Sequence, residues 1–110
     1  MSELRFVYIT TESEAAAVAL GRKIVGARLA ACVNVLPAIT SIYWWQGKME
    51  EGAEAALIVK TQAALVPALT ARVKEWHGYE VPCVVALPLA PGEGNGDYLQ
   101  WIEAESAAAK

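Results

Sequence analysis

Apolar positions along the chain alternate between a period of two and steps of three and four, as in strands and helices. Runs rich in β-branched and aromatic residues predict four strands, at residues 4–10, 31–45 with a break at Pro37, 49–61 and 81–89. Helical spacing predicts three helices, one ending near Arg28 and the others at residues 63–77 and 98–106. The order βαββαβ plus a terminal helix predicts an α+β, ferredoxin-like fold, an antiparallel sheet with two helices on one face.

Polar residues, glycines and prolines predict where these elements begin and end. Thr11 and Glu14 have the spacing of a capping box, so Thr11 is predicted to cap the first helix. Gly78 is predicted to stop the second helix, and Asp97 to cap the last one. Because Pro37 cannot donate to a ladder, a bulge or bend is predicted there.

The second and third strands are longer than a small core requires. From Ala31 to Gln46 the chain would span about 50 Å if extended, at ~3.3 Å per residue. A folded chain of 110 residues has a radius of gyration of only about 13 Å. The reversal at Gln46-Gly47-Lys48 is therefore predicted to be the tip of a long, protruding hairpin between the second and third strands.

Four large apolar residues lie close to this predicted tip. Strand alternation places Tyr43 and Trp45 on one side of the hairpin. It places Ile42 and Trp44 on the other side. Apolar side chains on both sides of a two-stranded ribbon indicate an interface, so these residues are predicted to contact neighbouring subunits. The alternative is an arm that folds back beneath its own C-terminal helix.

Composition and charge narrow the function classes. Residues 1–110 are predicted to form one domain, and 55% of them are apolar, which suits additional burial between subunits. The net charge of −3 and the lack of a basic cluster argue against nucleic acid and anionic membranes as partners. No apolar run is long enough for a membrane span, and no export signal is visible. Cys32 and Cys83 lack CxxC spacing, which favours free thiols and a cytoplasmic protein.

Six short segments occur in a distinctive order along the chain. They are ARLAACVNVLP at 27–37, SIYWWQGK at 41–48, E-x5-K-T at 54–61, HGYEVP at 77–82, ALPL at 86–89 and DYLQW at 97–101. Together they resemble the CutA family of divalent-cation tolerance proteins. The resemblance implies a ferredoxin-like homotrimer, related in architecture to PII signalling proteins, with hairpins exchanged between subunits. It also implies binding of copper or other divalent metal ions, with no established enzymatic activity and no required cofactor.

The metal candidates are Cys32 and His77. The Cys32 thiolate suits Cu(I), and the His77 imidazole suits Cu(II) or zinc. Their alternative roles are a small buried strand residue and a cap for the carbonyl end of a helix. The chain departs from the family at three positions that affect a metal site. Ile9 and Trp76 stand where some relatives carry a cysteine and a second histidine, and Cys83 stands where the family usually has a glutamate.

A second candidate site is a cleft between subunits. Its predicted lining, together with His77, is Lys60, Tyr79, Glu80, Tyr98 and Trp101. Polar and aromatic groups that converge at such a cleft are typical of small-molecule sites. The alternative for Lys60 is an interface ion pair with Glu54, Glu80 or Asp97.

Three classes of function follow from these candidates. The first is a trimeric metal-binding protein that contributes to the response to metal ions. The second is a PII-like trimer that binds a small ligand, or an unidentified partner protein, in the cleft. An enzyme is disfavoured because the sequence has no nucleophile–base pair, HExxH motif, paired catalytic carboxylates or cofactor fingerprint.

Overall fold

The structure, a computed structural model, describes residues 3–106 as a four-stranded sheet with three α-helices. The elements are β1 (Leu4–Thr11), α1 (Glu14–Gly26), β2 (Cys32–Trp45), β3 (Lys48–Gln62), α2 (Val66–Trp76), β4 (Val84–Pro88) and α3 (Gly96–Glu105). The strand order is β2-β3-β1-β4, and all neighbours are antiparallel. The predicted ferredoxin-like α+β fold is confirmed, with β2 and β4 at opposite edges.

The core lies between the sheet and the first two helices. Val7 and Ile9 of β1 pair with Val59 and Leu57 of β3, so all four side chains share one face. That face packs against α1 and α2 through residues that are almost completely buried, namely Ala17, Leu20, Ile24, Leu69 and Val73. Each large apolar side chain buried in this way contributes about 1.5–3 kcal/mol.

Two helix caps differ from the predicted ones. Thr11 stays in β1, almost fully buried, and its hydroxyl donates to the Ser13 carbonyl at 2.9 Å. Ser13 therefore caps α1, accepting the N–H of Ala16 at 3.1 Å. Asn95 caps α3 by accepting the N–H of Asp97 at 3.0 Å, so Asp97 lies in the first turn instead. Both predicted caps were wrong because a second capping residue, Ser13 or Asn95, lies two residues away in each case. The path of the backbone before each helix determines which residue caps it.

The region around α2 and β4 differs in detail from the prediction. Residues 63–65 form a 3₁₀ turn before α2, and Pro67 lies in the first turn of that helix, as predicted. Gly78 does not take a left-handed conformation; α2 ends at Trp76, and the capping residue His77 is extended. β4 starts at Val84, three residues later than predicted, because Pro82 has no N–H to offer a ladder.

The β2–β3 hairpin extends far beyond the core. The pairing register shifts between Leu36 and Ile39, which confirms the bulge predicted at Pro37. Beyond it, residues 39–54 form a two-stranded ribbon, here called the arm. The arm turns at Gln46 and Gly47, whose positive φ angles of 49° and 81° match a tight type I′ hairpin. The described chain measures 44 × 27 × 22 Å, in line with the predicted protrusion.

Large apolar side chains of the arm stay exposed in the single chain. Trp44 and Met49 are 75% and 68% exposed, and Ile42, Tyr43 and Trp45 are exposed as well. The C-terminal helix does not cover them. Instead, α3 lies near the other end of β3, where the Gln62 amide donates to the Glu103 carbonyl at 2.8 Å. The folded-back arm is thus not the observed arrangement.

Gly47→Ala should lower the free energy of unfolding by about 1 kcal/mol, because alanine is disfavoured at the positive φ of the arm turn. Chemical denaturation at fixed protein concentration measures the effect. Gly52→Ala is the matched control, since Gly52 lies in the same arm, has no positive φ and has open space around it. Equal losses from the two substitutions would contradict the turn geometry.

Candidate functional site

The sheet face away from α1 and α2, here called the open face, carries the candidate residues. In one row, Cys32 of β2 pairs with Lys60 of β3, and Lys60 pairs with Phe6 of β1. Four residues further along β1, Thr10 pairs with Ala56, two residues from Glu54 at the base of the arm. The open face therefore has a Lys60 end and an arm end.

The Lys60 end combines a cation with aromatic rings. The Lys60 ammonium group donates to the Tyr98 hydroxyl at 3.0 Å and lies 5.8 Å and 5.3 Å from the ring centroids of Phe6 and Tyr98. Tyr98 stacks on Trp101 with a centroid distance of 5.4 Å. Among residues 3–106, Lys60 takes part in no ion pair, so the predicted pairing with Glu54, Glu80 or Asp97 does not form within one chain.

At the arm end, the loop after α2 crosses to the open face and places Tyr79 beside Glu54. The Tyr79 hydroxyl donates to Glu54 Oε2 at 2.6 Å. Burial raises the pKa of Tyr79 well above its usual value, and the hydrogen bond and charge of Glu54 raise it further. Tyr79 therefore stays protonated and acts as a donor to a charged carboxylate.

A groove of about 710 Å³ separates the arm from this loop. Its aromatic lining consists of Tyr8, Tyr43, Trp45 and Tyr79. The charged residues that line it are Glu54 and Glu80; no lysine or arginine of the described chain does so. The groove is thus aromatic and acidic.

Cys83 lies in the floor of the groove. Its thiol is 3.9 Å from the Tyr8 carbonyl oxygen, a long contact. Burial raises the pKa of the Cys83 thiol, and the charge of Glu54 raises it further, while hydrogen bonds with Thr10 oppose part of the rise. A thiol that resists ionisation is a weak nucleophile and a weak metal ligand at neutral pH.

His77 is held by hydrogen bonds at both ring nitrogens. Nδ1 lies 3.0 Å from the backbone N of Tyr79, and because a peptide N–H can only donate, Nδ1 accepts. Nε2 then carries the proton and donates to the Thr10 carbonyl at 2.6 Å. The arrangement is that of a neutral imidazole, and a metal ion at either nitrogen would have to displace one of these bonds.

The predicted metal ligands do not meet within one chain. Cys32 lies in the same row of the sheet as Phe6, whereas His77 contacts Thr10. Phe6 and Thr10 are four residues apart on β1, so the two candidate ligands are separated by roughly 13 Å along the strand direction. Across residues 3–106, no three His, Cys, Asp or Glu side chains are grouped so that they could hold a metal ion. A single chain therefore does not supply a formed metal site.

Two of the departures from the family pattern have packing roles. Ile9 is completely buried in the core. The Trp76 ring lies close to two cations, with Lys23 Nζ 5.7 Å and Arg72 Cζ 4.7 Å from its centroid. These side chains stabilise the fold and offer no metal ligand.

The predicted cleft residues fall into two separate groups in one chain. Lys60, Tyr98 and Trp101 are at one end of the open face, and Tyr79 and Glu80 are at the other. Their bridging by a second subunit stays a prediction.

Two features of the groove were missed from the sequence, its aromatic wall of Tyr8, Tyr43 and Trp45 and the contact of Tyr79 with Glu54. The contact joins residues 25 apart in the chain, and no local pattern indicates it. The only signal was a carboxylate, Glu54, at the edge of an apolar strand.

Comparison with known proteins identifies the family. Residues 5–105 match the family described as CutA1 divalent ion tolerance protein. The chain belongs to this family. Protein CutA of Homo sapiens is 50% identical over 95 residues, which cover 86% of this chain and 52% of that protein. The divalent-cation tolerance protein CutA of Thermus thermophilus is 50% identical over 96 residues, which cover 87% and 91%. The chain thus spans about half the length of its human CutA relative and most of the bacterial one.

Solved structures of CutA1 proteins have the same fold. The protein from Thermus thermophilus superposes with a TM-score of 0.89 at 45% identity, covering 94% of this chain and 99% of that one. CutA1 from Oryza sativa superposes with a TM-score of 0.92 at 42% identity, covering 98% and 97%.

In a Cys32→Ser background, Glu54→Gln should speed alkylation of Cys83 by iodoacetamide at mildly alkaline pH. Loss of the Glu54 charge lowers the pKa of the Cys83 thiol and increases the thiolate fraction. Mass spectrometry over time gives the rate. Glu51→Gln is the control, because it makes the same charge change on the other side of the arm, opposite Ile42. Identical rates in the two variants would contradict the electrostatic coupling.

Proposed function

We propose that this CutA1 family member is a homotrimer that contributes to divalent-cation tolerance. The family match supports the tolerance function, since the Thermus thermophilus relative carries that description. The homotrimer is inferred from the arm, whose apolar residues are exposed on both sides in the single chain.

Cyclic assembly explains why both sides of the arm are apolar. Tyr43 and Trp45 are on the side of Glu54, and Ile42 and Trp44 are on the opposite side. In a closed ring each subunit has two neighbours, and one arm can then be covered from both sides. Clusters of large aromatic residues of this kind are typical of interface centres.

Binding of copper or another divalent ion is proposed as a property of the assembly. Cys32 and His77 each need further ligands, and within one chain they are too far apart to share an ion. A second subunit would have to supply the remaining ligands of the ion. The ion is proposed as bound cargo, and no resident cofactor is required.

A PII-like role in binding a small ligand or partner protein is the second candidate. Its support is the division of polar and aromatic residues between the ends of the open face. Lys60 and Glu54 are six residues apart on β3, about 20 Å. A head-to-tail neighbour can bring the Lys60 end of one subunit to the acidic end of the next, which would form the predicted inter-subunit cleft.

We propose a binding role without catalysis, in the cytoplasm. Neither Cys32 nor Cys83 forms a hydrogen bond with His77 among the described residues. The two thiols are free, which suits a reducing compartment. Within residues 3–106, no helix has the length and apolar character needed to cross a membrane. Relatives differ in cellular location, since a rice relative is described as chloroplastic and the Archaeoglobus fulgidus structure as periplasmic.

Trp45→Ala should reduce the particle mass and lower the melting temperature, because loss of a buried interface aromatic costs about 2 kcal/mol or more. Light scattering and calorimetry measure the two effects. Val25→Ala is the control, because Val25 is 38% exposed on α1, outside the arm and the open face. A Trp45→Ala protein with unchanged mass and melting temperature would refute the arm interface.

Calorimetric titration of the reduced protein with Cu(I), Cu(II) and Zn(II) tests the metal proposal. Binding should be stoichiometric in the wild type, weaker in Cys32→Ser or His77→Ala, and lost when Trp45→Ala breaks the assembly. The cysteine and histidine variants should keep the wild-type mass. Full metal binding by a monomeric Trp45→Ala protein would contradict a site shared between subunits.

A further inference from the structure

The helix side of the sheet carries two cations beside one aromatic ring, here called the helix-side cluster. It consists of Lys23 of α1 and of Arg72 and Trp76 of α2. Lys23 Nζ lies 5.7 Å and Arg72 Cζ 4.7 Å from the centroid of the Trp76 ring, so both cations are within range of a cation–π interaction with one indole. Because the two cations come from different helices, no local sequence pattern indicates the cluster.

The cluster lies outside the surfaces that the proposed assembly uses. Those surfaces are the arm and the open face, whereas α1 and α2 pack on the opposite side of the sheet. Lys23 and Arg72 are both exposed there. All three side chains of the cluster belong to one chain, so the cluster needs no neighbouring subunit to bring its members together.

Neither cation of the cluster has a counter-ion within the described part of the chain. None of the ion pairs of residues 3–106 includes Lys23 or Arg72. Glu75 is three residues from Arg72 on the same side of α2, yet the two side chains form no ion pair. The Trp76 ring attracts both cations without neutralising them, because an indole carries no net charge.

The distribution of charge over the molecule also favours an anion at this side. α1 and α2 together carry four basic and two acidic side chains. The rest of the chain carries five basic and ten acidic ones. An anionic ligand would therefore be attracted to the helix side and repelled by most of the remaining surface.

The cluster is arranged for binding before a ligand arrives. The Trp76 indole packs against the hydrophobic core, which fixes the ring in place. Since Lys23 and Arg72 both lie near this ring, their charges are at most roughly 10 Å apart, about one Debye length at 0.1 M salt. An anion that binds both cations would offset their mutual repulsion, and the fixed ring reduces the cost of ordering them.

The charge of the cluster matches a phosphate group better than a carboxylate. A phosphate monoester carries about −1.5 to −2 charges at pH 7 and has three acceptor oxygens, enough for two cations at once. A carboxylate carries a single charge, and arginine alone can satisfy both of its oxygens. We propose that the helix-side cluster binds a small phosphate monoester, with Lys23 and Arg72 as its cationic ligands beside the Trp76 ring.

This site goes beyond the proposed function and does not depend on it. Lys23→Gln and Arg72→Gln leave the arm, Cys32 and His77 untouched, so both variants should keep the particle mass and the metal affinity of the wild type. A failure of phosphate binding would leave the assembly and metal proposals standing. A failure of those proposals would equally leave the helix-side site standing.

The first experiment compares methyl phosphate with acetate at pH 8 and constant ionic strength. The NMR signal of the Trp76 indole N–H reports binding, and Trp76→Phe assigns it among the four tryptophans. Methyl phosphate should shift this signal to saturation and bind about tenfold more tightly than acetate, because a dianion meets two cations. Equal affinities, or a Trp76 signal that does not move, would overturn the proposal.

The second experiment removes one cation at a time. Lys23→Gln and Arg72→Gln should each weaken methyl phosphate binding about fivefold or more. Arg22→Gln and Lys74→Gln are the matched controls, because they make the same charge change on the same helices at positions that do not face the Trp76 ring. Both controls should keep the wild-type affinity. Equal losses in all four variants would overturn the proposal, since binding would then reflect net charge alone.

The third experiment tests whether the ligand is a small molecule or a segment of a partner protein. A capped phosphoserine peptide is titrated under the same conditions as methyl phosphate. The two affinities should agree within about fivefold, because the cluster contacts the phosphate group alone. A larger gain for the peptide would overturn the assignment to a small phosphate monoester, since protein groups beyond the phosphate would then contribute to recognition.

Discussion

β2 and β3 run for 14 and 15 residues, whereas β1 and β4 run for only 8 and 5. β1 pairs with β3 only from Ala55 onwards, so β2 is the only strand of the described chain that pairs with residues 48–54. No helix of the described chain covers this ribbon, and an isolated two-stranded ribbon is marginally stable in water. The aromatic residues at its tip are explained if the arm is completed by other copies of the chain.

The open face carries opposite charges at its two ends. Within the described residues, Lys60 is held by Tyr98 and lacks a carboxylate, while Glu54 is held by Tyr79 and lacks a cation. In each case a tyrosine hydroxyl satisfies part of the hydrogen-bonding capacity and leaves the charge uncompensated. Such a face suits either a ligand or a head-to-tail neighbour, and the two uses differ in what occupies the acidic groove.

Most of the fold was predictable because its signals are local. The order of strands and helices along the chain follows from periodicity. The bulge at Pro37 follows from proline chemistry, and the protruding arm with its turn follows from chain length. The caps were mispredicted because Thr11 and Ser13 are both able to cap, and pairing of Thr11 with Ala55 decides between them. The site was only partly predictable. Tyr79 and His77 were identified as candidates, but their bonds to Glu54 and Thr10 depend on the path of the loop after α2.

The most direct test of this account is the mass of the unmodified protein in solution, followed by light scattering over a series of dilutions. We expect a particle of three times 11.8 kDa that persists on dilution, because each arm is covered only within the assembly. A stable monomer of 11.8 kDa, with its arm aromatics exposed to water, would contradict it.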